Sequence, residues 1–285
     1  MAIYELNDPG DLIAPVMIAA LDGWVNAGNV GTETAQHIAA DGETIASFDP
    51  DALYDFRVNR PALTFVSGVT ESIEWPELRL IRAKTSGRDV LVLTGTEPNW
   101  HWQLLGRSVA DLSTELGIVE HVSLGGIPSA APHTRPTRLV TTASRSELIA
   151  EDEQLPGGVL RVPGAAVSIL ESYVVDQGIP AVGFWAQVPH YVGGTYYPGV
   201  VTLVERFARH SGIPISLGPL VDDAAEQRRQ LDQILEAQPQ TREYVEQLET
   251  VVDAQSEMPT GEEIAAEIER FLAESTGESD DPFDA

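Results

Sequence analysis

The chain has 285 residues, of which 43% are hydrophobic, so it is long enough to bury a sizeable core. Its formal net charge of −27 argues against binding to nucleic acid or to anionic lipid, and the absence of cysteine excludes disulfides, thiolate nucleophiles and sulfur-ligated zinc. No apolar run approaches a membrane span, and the acidic start shows no secretory signal, so we expect a cytoplasmic protein.

Four segments share one pattern, in which a short apolar run ends in a polar loop that contains glycine or proline. Such runs are typical of strands buried on both faces, and they cover 16–21, 90–93, 119–124 and 181–186. Helical patterns cover 30–40, 100–116, 165–177 and 198–210. Weaker strand patterns cover 43–48, 63–66, 78–82, 138–142 and 159–162. The alternation predicts a three-layer α/β fold with a mixed, mostly parallel sheet.

The character of the chain changes after Pro219. Three amphipathic helical patterns follow, and the residues from Pro219 onward carry 19 Asp and Glu against 4 Arg, a net charge of −15. We therefore predict an α/β domain at 1–218, a small acidic C-terminal helical appendage at 219–274 and a disordered tail at 275–285.

Polar loops follow the four strong strand patterns. Because the carboxyl ends of parallel strands meet at one edge of a sheet, and ligands of α/β proteins bind there, these loops predict a shared pocket. Its ten candidate residues are Asp22, Gly23, Asn26, Glu97, Gly125, Gly126, His133, Arg135, His190 and Tyr191.

The third loop offers the clearest chemistry. His133 beside Arg135 is suited to binding a carboxylate or phosphate, and His133 is a candidate general base, with Arg135 expected to lower its pKa. The alternative is a proline-rigid loop whose polar groups satisfy the neighbouring backbone. His133 and His190 with a nearby carboxylate could bind a metal, but no metal-ligand spacing supports this, and we predict neither metal nor cofactor.

The first loop has two interpretations. Its glycines, from Gly23 to Gly31, open a helix whose backbone N–H groups could face an anion, but small residues also suit a tight strand-to-helix turn. There is no GxxxxGK[ST] phosphate loop and no GxSxG elbow, and Lys84 is the only lysine. No catalytic motif is complete, so the sequence leaves enzymatic activity undecided.

The same loops carry a family resemblance. The stretch Ala20-Leu21-Asp22-Gly23-Trp24 with Asn26-Ala27-Gly28, together with 93–98, 124–126, 132–136 and 185–191, resembles the proteasome assembly chaperone 2 family. Residues 48–56, Arg60-Pro61 and the acidic tail are similar to its actinobacterial branch. The resemblance implies a fold like that of purine nucleoside phosphorylases and related hydrolases, and a homo-oligomer, with a trimer as the expected state.

Two functions follow from these observations. Family members are labelled either as assembly chaperones or as ATP-grasp-type carboligases, and a single lysine fits the second label poorly. The first hypothesis is therefore a homo-oligomeric, chaperone-like module that binds itself and a protein partner. The second is an enzyme or small-ligand binder of phosphorylase/hydrolase type, with its pocket at the carboxyl edge of the sheet.

Overall fold

The computed structural model describes residues 3–149 and 159–256. The strands in this part are β1 (Tyr4–Leu6), β2 (Val16–Asp22), β3 (Glu43–Phe48), β4 (Ala62–Val66), β5 (Val69–Glu74), β6 (Leu78–Ala83), β7 (Val90–Thr96), β8 (Glu120–Ser129), β9 (Leu139–Ala143) and β10 (Ala181–Pro189). The helices are α1 (Val30–Ala39), α2 (Pro50–Leu53), α3 (Trp102–Glu115), α4 (Ala166–Asp176), α5 (Tyr197–Ser211), α6 (Leu220–Ala237) and α7 (Pro239–Ser256).

Eight strands form one sheet in the order β1-β3-β6-β7-β2-β8-β10-β9. The four central strands, β7, β2, β8 and β10, are parallel to their neighbours in this group, whereas the outer strands pair antiparallel. The predicted α/β fold with a mixed sheet is confirmed. The sheet is not mostly parallel, however, because only the pairs among β7, β2, β8 and β10 are parallel. β6 reaches β7 through residues 84–89 alone, and so short a connection can join only antiparallel neighbours.

The sheet is the middle of three layers. Alternate residues of β2 point to opposite faces, so that Val16 and Ile18 pack with α1 and α5, while Met17 and Ala19 pack with α3 and α4. Because both faces are covered, β2 has no polar residue before Asp22, which lies at its carboxyl end. This arrangement explains the continuous apolar run that predicted the strand.

One predicted strand is absent. Residues 159–162 form no regular structure, and Val159 is fully exposed. The edge of the sheet beside β10 is occupied by β9, which pairs with it from Leu139 to Ala143. An apolar run therefore was not enough to predict a strand, because no sheet edge was left for it beside β10.

β4 and β5 form a separate hairpin, here called the arm, that pairs with neither edge of the main sheet. Its two-residue turn, Ser67 and Gly68, has positive φ at both positions, as the tight turns of twisted hairpins require. Every residue of both strands is exposed, including Leu63, Phe65 and Ile73. The arm is thus a hairpin without a core of its own.

The base of the arm is attached firmly to the body. Asn99, in the loop after β7, accepts hydrogen bonds from the backbone of Asp55 at 2.9 Å and from the side chain of Asn59 at 3.0 Å. On the other side, Trp75 packs edge-on against Phe56, with 4.8 Å between ring centroids. The arm therefore leaves the body at the carboxyl edge of β7.

α6 and α7 form a helical hairpin, here called the clasp, with Gln238 as the one residue between them. α6 packs on α5, and α7 packs on α6. The predicted third helix near 264–272 and the tail at 275–285 lie outside the described residues. The boundary predicted at 218 coincides with the start of the clasp, and the separation of the clasp as a domain stays a prediction. No helix in the described ranges has the length and apolarity to cross a membrane.

Candidate functional site

Glu97 connects the first two loops of the predicted rim. One of its carboxylate oxygens accepts the backbone N–H of Trp24 at 3.0 Å, and the other accepts that of Ala166, at the start of α4, at 2.7 Å. A Cβ atom on Gly23 would lie 2.2 Å from the same carboxylate, so only glycine fits there. Both oxygens of Glu97 therefore hold backbone in place.

Asn26 fixes the start of α1. Its amide nitrogen donates to Thr32 Oγ1 at 2.9 Å and to Asp22 Oδ1 at 3.3 Å, and its oxygen accepts the backbone N–H of Thr32 at 3.2 Å. Asn26 is buried, whereas Asp22 is exposed. The N–H of Thr32, in the first turn of α1, thus already has a protein partner, which favours the turn interpretation of this loop over the anion site.

Gly125 and Gly126 allow the first loop to lie directly on β8. The backbone N–H of Gly126 donates to the Val25 carbonyl at 2.8 Å. A Cβ at Gly125 would come within 2.4 Å of that carbonyl oxygen, and one at Gly126 within 2.4 Å of the Ala27 oxygen. The six rim residues from Asp22 to Gly126 are therefore brought together, chiefly by contacts that shape the backbone.

Tyr191 joins the two histidines of the rim. Its hydroxyl accepts the backbone N–H of His133 at 2.9 Å and lies 2.8 Å from the ring Nδ1 of the same residue. His133 packs edge-on against one side of the tyrosine, and the ring of His190 lies 5.6 Å away. The structure thus places His133 and His190 on the same side of the molecule, at one edge of the sheet.

The clasp covers this second group. Arg135 binds Asp253 of α7 through two hydrogen bonds of 2.8 and 2.7 Å, and Glu249 through a third of 3.2 Å. His190 Nε2 lies 3.1 Å from the hydroxyl of Tyr244, also on α7. Arg135 and His190 therefore face the clasp and not an open pocket.

Burial lowers the pKa of His133, which is 3% exposed, because the protonated ring is poorly solvated there. Asp232, 3.4 Å from Nε2, acts against this shift, and Arg228 adds to it. The pKa is lowered, as expected, but the causes are burial and Arg228 and not Arg135. Burial also raises the pKa of Tyr191 to about 12.

A cavity of about 670 Å³ lies beside the first group of rim residues, between α1 and the base of the arm. Asp22, Glu33 and Glu77 contribute carboxylates to its wall, Arg79 contributes a guanidinium, and Trp75 contributes an indole. Of the ten predicted residues, Asp22 lines this cavity. Its volume lies within the range of small-ligand sites.

The remaining histidines have structural contacts. His37 bonds the Ser216 carbonyl at 2.6 Å, and His210 bonds Glu120 at 2.7 Å. His121 is fully buried beside Ser123, at 3.3 Å. Within 3–149 and 159–256, no three His, Asp or Glu side chains are grouped so that they could hold a metal ion.

A family model described as the PAC2 family matches residues 20–235. The chain belongs to the PAC2 family. The resemblance drawn from the loop motifs is thereby confirmed. The matched range includes both groups of rim residues and the arm, and it ends four residues before α7 begins. No match was found among the curated proteins.

This PAC2 protein resembles several solved structures. The Mycobacterium tuberculosis protein of unknown function Rv2714 is 32% identical, with 95% of this chain and 92% of that chain covered and a TM-score of 0.82. The M. tuberculosis proteasome-assembly chaperone homologue Rv2125 is 31% identical, with 81% and 99% covered and a TM-score of 0.75. Pyrococcus furiosus PbaB, an archaeal proteasome activator, shares the fold at 17% identity, with 82% and 99% covered and a TM-score of 0.63.

Two features of this PAC2 protein escaped the sequence analysis. The apolar face of the arm was missed because only β4 was recognised, although the alternating Val-Thr-Glu-Ser-Ile-Glu of β5 and the Ser-Gly turn were available signals. The contact of α7 with Arg135 was missed because it joins residues 118 positions apart. The spacing of Glu249 and Asp253, one helical turn apart, was its only local signal.

Proposed function

We propose that this chain is a homo-oligomeric, chaperone-like protein-interaction module of the cytoplasm, with a trimer as its expected state and the arm as its self-association surface. The exposed apolar face of the arm is the observation that carries the proposal. The name of the relative Rv2125, a proteasome-assembly chaperone homologue, supports the chaperone-like function.

Three large apolar side chains of the arm lie on one face, whereas Val66 and Val69 lie on the other. Leu63 pairs with Ile73 across the hairpin, and Phe65 lies two residues from Leu63, so these three side chains point in the same direction. They are 52%, 49% and 58% exposed, respectively. An isolated two-stranded hairpin is marginally stable in water, and a contiguous apolar face marks an interaction surface. The arm therefore needs a partner to cover it.

Charge favours a second copy as that partner. Residues 54–75 contain three acidic residues and two arginines, so this segment has a net charge of −1 in a chain whose total is −27. Two copies repel each other over most of their surfaces, and the repulsion is weakest where the arm lies. In a trimer, the arm of each copy contacts a different surface of the next copy, and this head-to-tail contact closes into a ring.

The experiment is a mass measurement by light scattering on the full chain and on Leu63→Ser/Phe65→Ser/Ile73→Ser. We expect the wild type to be an oligomer and the variant to have the mass of one folded chain, because these side chains lie outside the core. The matched control is Val119→Ser/Val221→Ser/Ile234→Ser, which removes three other exposed apolar side chains. A monomeric wild type, or an arm variant that keeps the oligomer, would refute the proposal.

The cavity beside Asp22 supports small-ligand binding as a second candidate function. Three carboxylates against one guanidinium in its wall disfavour nucleotides and small carboxylates and favour neutral or cationic ligands such as nucleosides and amines. A thermal-shift screen of these classes tests it, since a ligand at a hundred times its Kd stabilises the fold by about 2.7 kcal/mol. If no ligand class stabilises the protein, or if a ligand stabilises Asp22→Asn as much as the wild type, the cavity is not a ligand site.

A further inference from the structure

The loop between β8 and β9, residues 130–138, holds α7 through polar groups. Arg135 makes a bidentate pair of hydrogen bonds with Asp253 and a third hydrogen bond with Glu249. The hydroxyl of Thr134 also donates to Glu249. Arg138 donates to the carbonyl of Val252 at 3.2 Å. Glu249 and Asp253 are four residues apart, so they lie on one face of the helix. The loop thus recognises a helix by a pair of carboxylates.

The apolar part of this contact is small. Among the described side chains of α7, Val245 and Leu248 are buried, whereas Val251 remains 54% exposed and Tyr244 39% exposed. A cavity of about 230 Å³ remains between the loop and the helix, lined by Arg135, Arg138 and Val251 among others. Helix α7 is therefore held by two buried side chains together with charged hydrogen bonds that water can replace, and its packing is incomplete.

The surface under α7 is unusual for so acidic a chain. Arg135 and Arg138 line the cavity under α7, and His190 contacts Tyr244 of the same helix. Arg228 of α6 donates to the Thr134 carbonyl at 2.6 Å. His133 Nε2 is buried in this surface without a hydrogen bond, 3.4 Å from the nearest carboxylate oxygen of Asp232. Donor groups gathered in this way suit an anionic partner.

The loop at 130–138 lies within the range that matches the family, whereas α7 lies outside it. The family match includes residues 130–138 but stops at 235, before α7. Rv2125 is matched over 99% of its length and yet covers 81% of this chain, so about a fifth of this chain has no counterpart there. The binding surface is part of the family fold, whereas α7 lies outside the matched range.

We propose that the loop at 130–138 is a binding site for an acidic helix of a protein partner, one that carries two carboxylates a helical turn apart, and that α7 occupies this site in its own chain. This inference rests on the proposed function, because it adds the loop to the arm as a second interaction surface. Binding of the partner helix requires that α7 leave, so α7 controls access to the site.

The experiment uses the full chain and a fluorescent peptide with the sequence of residues 239–256 as the probe. Glu249→Gln/Asp253→Asn weakens the competing helix of the chain and leaves the loop intact. We expect hydrogen exchange of α7 to be at least tenfold faster in this variant, and the peptide to bind it at least tenfold more tightly than it binds the wild type. Adding Arg135→Ala to the variant should reverse this gain in peptide binding.

Glu243→Gln/Glu246→Gln is the matched control, because it removes two exposed carboxylates of the same helix. This control should change neither exchange nor peptide binding. Unaltered exchange in Glu249→Gln/Asp253→Asn, or faster exchange without peptide binding, would overturn the proposal. Neither result bears on the arm, whose test is the oligomeric mass.

Discussion

The arm and the clasp are both attached to the carboxyl edge of the same α/β body, and they differ in what covers them. The arm has an apolar face that no described residue covers, and its segment is almost neutral. α7 of the clasp is rich in charge and already has contacts on the body, with Arg135 and His190. Our two proposals follow this difference, with the arm as an interface between copies and the loop at 130–138 as a site that the chain's own helix keeps closed.

The largest expected effect concerns the body that carries both regions. Burial lowers the pKa of His121 from 6.5 to about 4, so the protonated ring is disfavoured in the folded state. Its contribution to stability is complete above pH 6.5 and is lost as the pH falls toward 4, by about 3 kcal/mol. The arm and the clasp are therefore best compared above pH 6.5, where the body keeps its full stability.

Denaturant unfolding between pH 7.5 and pH 4.5 measures this effect, with His121→Leu as the comparison. Glu171, linked to His121 through Ser123, opposes the effect, because burial raises its pKa and its contribution grows as the pH falls. The wild type should lose more stability than the variant over this range. Equal losses would show that His121 does not titrate as its burial requires.

The second test applies the same truncation to each region. Leu248→Ala removes a buried side chain of α7 and should weaken the attachment of the helix by about 2 kcal/mol. Phe65→Ala removes an exposed side chain of the arm and should change the stability of the isolated chain by less than about 0.5 kcal/mol. Hydrogen exchange of α7 measures the loss in Leu248→Ala, and thermal unfolding of the dilute protein measures the loss in Phe65→Ala. Similar losses in the two variants would contradict the proposed difference between a covered helix and an uncovered arm.

The sequence predicted the body better than either of these regions. The buried strands and their glycine loops, such as β2 with Gly23, are encoded locally, because a strand covered on both faces must be apolar throughout. The arm looks like any amphipathic hairpin, and only the absence of a packed partner reveals its exposed face. The loop holding Arg135 was correctly placed at the sheet edge, but its occupation by α7 depends on residues far along the chain.

The third test concerns the polar attachment of the clasp. Arg135→Ala should weaken the docking of α7, because it removes the hydrogen bonds to Asp253 and Glu249. Arg135→Lys should recover part of this loss, since it keeps the charge but not the two-pronged geometry. Exchange rates of α7 in the three proteins test this order, and no difference between Arg135→Ala and the wild type would contradict it.

The smallest effect is that of salt, and it has opposite signs in the two regions. Raising the ionic strength screens Arg135 from Glu249 and Asp253 and should speed the exchange of α7 a few-fold. It also screens the repulsion between chains of charge −27, so association through the arm should hold or strengthen. Light scattering in the same buffers measures the second effect, and a parallel weakening of both would mean that the arm also associates through charge.

The link between the two helices of the clasp has a consequence for any assembly of this chain. Gln238 alone separates α6 from α7, so a released α7 stays tethered to the end of α6 by a single residue. A helix of 18 residues is about 27 Å long, enough to extend past the boundary of its own subunit. Within a ring of copies, an opened helix can therefore dock onto the neighbouring loop, and exchange between subunits would close every site without any outside partner.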